Sequence, residues 1–319
     1  MQVVRAGSQW TVHWAAFRRY RGKLRERFDV VIDQVNTVPF LTPLWADIPH
    51  LMFIHQLARE VWWYEMRFPL NALGFVLEPL YLAPYHHTPI VTISESTRKD
   101  LRRLRFKGTI RVIPVGIEPL FPQDVKKAVV PTFIYVGRLA PSKRLSDIIR
   151  AFDIFNAQTG TARLLLVGAG DSRHVSSLRL LVESLGIHDQ VEFMGRLPLA
   201  QKQRQVAQAT GLLMASVREG WGLVISEANA LGTPAVVYDV PGLRDSVLDG
   251  ETGLIVPASP GAMANAMLRL WHDRALYDHV TAGARASSKK FSFDKSVASM
   301  IEEISSHLTP SQRSMETVG

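Results

Sequence analysis

A chain of 319 residues, 47% of them hydrophobic and 21% charged, is long enough for two packed cores and is not composed like a disordered segment. It has no cysteine, so disulfides and thiolate-held metals are excluded as supports of the fold, and a reducing cytoplasm is permitted. A net charge of +8 suits an anionic partner such as a nucleotide, an anionic lipid or a nucleic acid.

The opening Met1-Gln2-Val3-Val4-Arg5-Ala6-Gly7 lacks the long apolar run of a secretory signal. Residues 2–5 read as a short apolar strand, and residues 11–27 as a helix with Trp14, Phe17 and Leu24 at mixed helical spacing. Strands are expected at 29–33 and 51–55, the second ending on His55. A helix-rich passage then runs to residue 85, followed by a strand at 90–93, a helix opened by Ser94 or Ser96 as N-cap, and a strand at 110–114. The apolar stretch 68–85 contains Asn71, Glu78, Pro69, Pro79 and Pro84, which argues against a spanning helix and leaves a surface helix facing membrane or acceptor open.

Basic residues crowd two places, Arg18, Arg19, Arg21, Lys23, Arg25 and Arg27, then Arg98, Lys99, Arg102, Arg103, Arg105, Lys107 and Arg111. No zinc spacing, RNA-recognition signature or aromatic interleaving accompanies them, so nucleic acid is not an expected partner. A solvated helix face and a patch toward an anionic membrane surface or acceptor both remain open.

Three prolines within 114–127 place the domain boundary there, giving a first domain over 1–122 and a second over 123–292. The second half alternates strands at 132–136, 162–167, 191–194, 211–215, 234–238 and 252–256 with helices at 145–156, 175–185, 200–209, 223–231, 260–271 and 273–285. A last helix within 293–309 is expected to pack back toward the first domain, with a disordered tail over 310–319. Short strands alternating with helices indicate parallel βαβ units, hence an α/β class with two Rossmann-like doubly wound domains facing across a cleft.

The chemistry concentrates in Glu219-Gly220-Trp221-Gly222-Leu223-Val224-Ile225-Ser226-Glu227, where two carboxylates eight positions apart flank a Gly-x-Gly turn and a helix start. The unpaired N–H groups and partial positive charge of that helix terminus suit a phosphate. The strand at 132–136 runs into Gly137 and Arg138, with Lys143 five positions on, and two cations on a strand-to-helix loop can clamp a diphosphate. Gly168-Ala169-Gly170 and Gly195-Arg196-Leu197 close the next two strands with small-residue turns that admit a planar base or ribose. No complete Gly-x-Gly-x-x-Gly follows the first strand of this half, which disfavours NAD.

Taken in order, Val136-Gly137-Arg138-Leu139 with Lys143, Val167-Gly168-Ala169-Gly170, Met194-Gly195-Arg196-Leu197, the Glu219 to Glu227 motif, Gly232-Thr233-Pro234-Ala235 and Asp249-Gly250-Glu251-Thr252-Gly253 resemble family 4 glycosyltransferases of the GT-B fold, over about residues 29–305. The resemblance implies a retaining, metal-independent enzyme without a cofactor. Its donor substrate would be a nucleotide diphosphate sugar, its acceptor a glycan or lipid-linked molecule, and its role cell-surface polysaccharide synthesis in the cytoplasm or at the inner membrane face.

Carried over by position, Arg138 and Lys143 hold the donor diphosphate and Glu227 takes the ribose hydroxyls. Glu219 contacts the transferred sugar, backbone N–H groups of Gly220, Trp221, Gly222 and Leu223 face sugar and phosphate, and Gly195, Arg196 and Leu197 lie along the base. Gly168 belongs to the same donor set. His55 matches the family's cleft histidine that reaches the donor sugar, and Asn36 is placed toward the acceptor. Trp221 stands where the family more often has Phe, Arg144 where it commonly has Gly, and Gln56 where it often has Asp.

The family's opening strand, glycine-rich loop and helix are not matched, so the first domain is expected to be incomplete. Three consequences follow from that expectation: re-pairing of the remaining strands, self-association through the open sheet edge, or a start further upstream. Two further readings stand beside transfer: a truncated, non-catalytic nucleotide-sugar-binding protein, and a GT-B sugar-nucleotide epimerase.

Overall fold

The computed structural model describes residues 3–8, 10–117 and 125–308. The expected boundary at 122/123 and the expected tail over 310–319 lie outside the described residues. By contacts the chain forms two compact units: Met1–Arg59 with Ala72–Pro114 and Asp294–Gly319, and Glu60–Asn71 with Val115–Phe293.

The first unit carries α1 (Val12–Arg19), β1 (Val31–Val35), β2 (His50–Ile54), β3 (Ile90–Thr92), α4 (Glu95–Arg103) and β4 (Ile110–Val112). Its sheet runs β1-β2-β3-β4, every pair parallel, with Val35 facing Ile54 and Ile54 facing Thr92. Ser94 caps α4, its hydroxyl accepting from the Thr97 N–H. Helix α12 (Phe293–Ser306) is tied to this unit by Arg111, which pairs with Glu302 and Glu303, and by Ser296 Oγ, which donates to the Pro114 carbonyl at 2.6 Å.

Two expectations are corrected here. Residues 3–5 form no strand: Val3 and Val4 are exposed, and β1 is the edge of the sheet rather than the partner of an earlier strand. The helix expected through residue 27 ends at Arg19, where a π-turn over Tyr20–Leu24 takes over and the Arg25 N–H reaches back five positions to the Tyr20 carbonyl at 3.0 Å. Tyr20, buried, donates to Asp47 Oδ1 at 2.6 Å.

The second unit carries α2 (Val61–Glu65), β5 (Thr132–Val136), α5 (Leu145–Thr159), β6 (Arg163–Val167), α6 (Ser172–Ser184), β7 (Val191–Gly195), α7 (Leu199–Gln208), β8 (Gly211–Met214), α8 (Leu223–Ala230), β9 (Ala235–Tyr238), α9 (Leu243–Ser246), β10 (Gly253–Val256), α10 (Pro260–His272) and α11 (Arg274–Ser288). Between α2 and β3, α3 (Leu70–Leu82) runs with Pro79 inside it. The six-stranded sheet has the order β10-β9-β8-β5-β6-β7, all parallel. Helices cover both faces, so the strands are buried on both sides and read as near-continuous apolar runs, Phe133, Ile134 and Tyr135 among them. Phe152 and Phe155 on α5 fill the core beside them, each worth about 2–3 kcal/mol of buried apolar area.

The strand order fixes where a ligand can sit. From β5 the chain moves outward through β6 and β7, whereas β8, β9 and β10 proceed the other way. The reversal lies between β5 and β8, and in an open α/β sheet the crevice at the carboxyl ends of such strands is the binding position.

Candidate active site

The turn after β5 carries Gly137 and Arg138, and the loop after β8 carries Glu219, so the two charged motifs meet at the switch point. Backbone bonds lace the strand ends together: Gly137 N–H to Val167 O at 3.0 Å, Leu139 N–H to Ala169 O at 2.9 Å, and Gly168 N–H to Gly195 O at 2.8 Å. A Cβ on Gly168 would fall 1.8 Å from the Gly137 carbonyl oxygen, so this glycine is required by backbone packing on backbone. Gly195 differs: its φ of +65° is left-handed and open space surrounds it, with Arg196 exposed beside it and Leu197 half-buried against the core.

Tyr135 Oη donates to the Arg138 carbonyl at 2.7 Å and fixes that backbone, while burial pushes the phenol up from its ordinary range. The Arg138 side chain is exposed and makes no salt bridge among the described residues. Lys143 closes a short 3-10 turn and places Nζ 2.5 Å from Glu219 Oε1, with both side chains only 15% exposed. The same oxygen accepts from Ser216 Oγ at 2.7 Å, leaving Oε2 without a partner among the described residues. A pair held this dry interacts more strongly than one on the surface.

Gly220, Trp221 and Gly222 lead into α8, with Gly222 as its N-cap at φ +78°. The Ile225 N–H donates to the Gly222 carbonyl at 2.8 Å, while the N–H groups of Leu223 and Val224 have no earlier carbonyl within the helix to bond. The Trp221 side chain is buried edge-on against Phe291, ring centroids 5.3 Å apart, and donates Nε1–H to Ser226 Oγ at 3.0 Å. Only its backbone therefore faces the helix entrance. One turn on, Glu227 Oε2 receives Lys202 Nζ from α7 at 2.7 Å.

In the first unit His55 follows β2 directly. Its Nε2 faces the Gln34 amide nitrogen at 3.3 Å, its carbonyl accepts from Thr97 Oγ1 at 3.1 Å, and its ring meets Phe53 at 4.8 Å. With the Gln34 amide nitrogen as donor, Nε2 is assigned as the acceptor and the ring proton to Nδ1. Burial lowers the imidazole pKa, which keeps the ring neutral at pH 7. Asn36, exposed, lies in a loop organised by buried Asp33, which accepts from Phe40 N–H at 3.3 Å, Thr42 Oγ1 at 3.1 Å and Tyr85 Oη.

The model of the family described as glycosyl transferases group 1 matches residues 117–287, more than half of the chain. The chain belongs to that family. Among its relatives, an exopolysaccharide phosphotransferase of Streptomyces coelicolor is 32% identical over 71% of this chain and 24% of the relative. A D-inositol 3-phosphate glycosyltransferase of Acidothermus cellulolyticus is 33% identical over 60% of this chain and 47% of the relative. The chain thus spans between a quarter and about half of the length of these two relatives. Of solved structures, sucrose-phosphate synthase of Thermosynechococcus elongatus superposes with a TM-score of 0.75 at 23% identity, covering 94% of this chain and 80% of that one. HepE of Anabaena, in complex with UDP-glucose, gives 0.73 at 18% identity over 92% and 82%. These likenesses show the α/β GT-B fold with its Rossmann-like units.

Within this group 1 family member, the motifs after β5, β6, β7 and β8 all lie at the carboxyl end of the strands of the second sheet. Sequence reasoning missed the side chains that hold them. Ser216 and Ser142 are buried polar residues with no motif of their own, and Lys202 sits on an ordinary amphipathic helix. Gly242 was equally silent, yet its φ is +85° and an added Cβ would lie 1.9 Å from the Glu219 carbonyl oxygen.

Proposed function

We propose that the chain transfers a sugar, with retention of configuration and without a metal, from a nucleotide diphosphate sugar to a glycan or lipid-linked acceptor in cell-surface polysaccharide synthesis. The observation that carries this reading is the pairing of Lys143 with Glu219 at the β5/β8 switch point, beside exposed Arg138 and the open N-terminus of α8. Arg138 and Lys143 hold the diphosphate and offset the charge that builds on the leaving nucleotide, the task a metal would otherwise perform. The free Oε2 of Glu219 meets the sugar, Glu227 the ribose hydroxyls, and the N–H groups of Gly220 to Leu223 the sugar and phosphate. Gly168 lets the turn close under the ribose, and Gly195, Arg196 and Leu197 line the base.

The bond from the anomeric carbon to phosphate breaks while the acceptor oxygen bonds on the same face, and the leaving phosphate takes the acceptor proton. His55 is assigned to the donor sugar, where a neutral imidazole hydrogen-bonds a hydroxyl. That HepE is described in complex with UDP and with UDP-glucose supports a nucleotide diphosphate donor. Substituting Lys143 or Glu227 with Ala is expected to abolish donor turnover, and turnover unchanged in both variants contradicts the assignment.

The reading includes peripheral attachment at the inner membrane face. No helix among the described residues is long and apolar enough to cross a membrane, but α3 turns Leu73, Val76, Leu77 and Leu80 outward in one stripe. Co-sedimentation with phosphatidylglycerol vesicles should fall when Leu73, Leu77 and Leu80 are changed to Ser. Unaltered co-sedimentation removes this part of the proposal.

A further inference from the structure

Lys143 and Glu219 lie on different loops 76 positions apart, and each is preceded by a buried residue that an acid of α2 holds. Ser142, 3% exposed, donates Oγ–H to Glu65 Oε1 and its N–H to the same oxygen at 3.4 Å. Arg218, 5% exposed, donates Nε–H to Glu60 Oε2 at 2.8 Å. Glu60 is the N-cap residue of α2 and Glu65 its last residue, about 7.5 Å apart along the axis. Between the loops, the Val217 N–H donates to the Ser142 carbonyl at 2.9 Å and closes a ring: Glu65, Ser142, Val217, Arg218, Glu60.

A five-residue helix is too short to persist alone. The ring joins the two loops through one helix, with the Lys143–Glu219 pair immediately beyond it on both sides.

We propose that α2 is a clamp that sets the spacing of Lys143 and Glu219, with Glu60 and Glu65 as positioning residues for the donor site. The inference rests on the donor-site reading for its functional consequence and on the hydrogen-bonded ring for its existence. The segment Glu60–Asn71 belongs to the second unit, and the two residues before it donate their N–H groups to buried Glu78, Ala58 at 2.5 Å and Arg59 at 2.7 Å. Occupancy of the donor site therefore depends on a segment outside the stretch matched by the family model.

The test uses the full chain and two readouts, hydrogen exchange of loops 138–143 and 216–222 without ligand, and calorimetric titration with uridine, guanosine and adenosine diphosphates. In the Glu60→Ala, Glu65→Ala double variant, exchange of both loops should rise about tenfold or more and the affinity for the bound diphosphate should fall by a similar factor, the worth of a charged hydrogen bond. Glu65→Gln, which keeps an oxygen acceptor for Ser142, should recover part of both. A thermal midpoint close to wild type separates this from unfolding. Unchanged loop exchange overturns the clamp, and faster exchange with unchanged affinity overturns its positioning role. Wild-type protein that binds none of the three diphosphates refutes the donor-site reading instead, with the exchange data still deciding the clamp.

Discussion

Gly242→Ala tests the link between fold and site at a single atom. The residue sits at φ +85°, where an L side chain costs about 1–2 kcal/mol, and the new methyl would lie 1.9 Å from the Glu219 carbonyl oxygen. Both contacting groups are backbone, so no side chain can rotate away, and the loop must move by about 1.5–2 Å to restore an ordinary contact. Strain of this kind adds about 1 kcal/mol more, for a total of roughly 2–3 kcal/mol, or about 4–12 °C in Tm for a unit of this size. The movement falls on the residue that pairs with Lys143, and a displacement of that size can cost about 100-fold in a positioned reaction. Differential scanning fluorimetry and diphosphate titration should therefore both shift. Gly160→Ala is the control: its φ is +74° but nothing lies within 4 Å of the added carbon, so only the backbone cost, about 1–2 kcal/mol, should appear. A Gly242→Ala protein that binds nucleotide diphosphate as wild type does would refute the reasoning.

Lys127 makes a pH prediction. Its Nζ donates to the Ala209 carbonyl at 2.8 Å and to Thr233 Oγ1 at 2.7 Å, and burial, with Arg285 nearby, lowers its pKa to about 7. The unfolded chain binds this proton up to a pKa of about 10.4 and the folded chain does not, so stability should rise with pH between about 7 and 10, by at most about 1.4 kcal/mol per unit. Denaturant titrations of wild type and Lys127→Met at pH 7.5 and 9.5 should diverge, wild type gaining the more; parallel curves contradict this. Glu78→Ala removes the acceptor of two backbone N–H groups and should destabilise by about 2–4 kcal/mol, measured as a lower urea midpoint with the slope unchanged.

The second unit was the more legible half, for a physical reason. Parallel strands covered on both faces are unbroken apolar runs, so Phe133 to Tyr135 and Leu164 to Val167 announce themselves, and the glycines closing them mark the turn positions. Arg138, Lys143, Glu219 and Glu227 were readable because they sit at fixed offsets from those strands, and the structure brings all four to one end of one sheet. Their partners were not. Lys202 meets Glu227 across 25 positions and Glu65 meets Ser142 across 77, and neither pair leaves a local pattern. At the other end, Val3 and Val4 have the composition of a strand but pair with no strand among the described residues, and the contact of Tyr20 with Asp47 spans 27 positions and leaves no local pattern.

Under the proposed function, the β5/β8 switch point binds and activates a nucleotide diphosphate sugar. Release of nucleoside diphosphate from a panel of nucleotide sugars, compared among wild type, Lys143→Ala and Glu227→Ala, tests it most directly. Wild type should release nucleoside diphosphate from at least one donor, and each variant should lose about 100-fold or more of that rate. Release by both variants at the wild-type rate would contradict it.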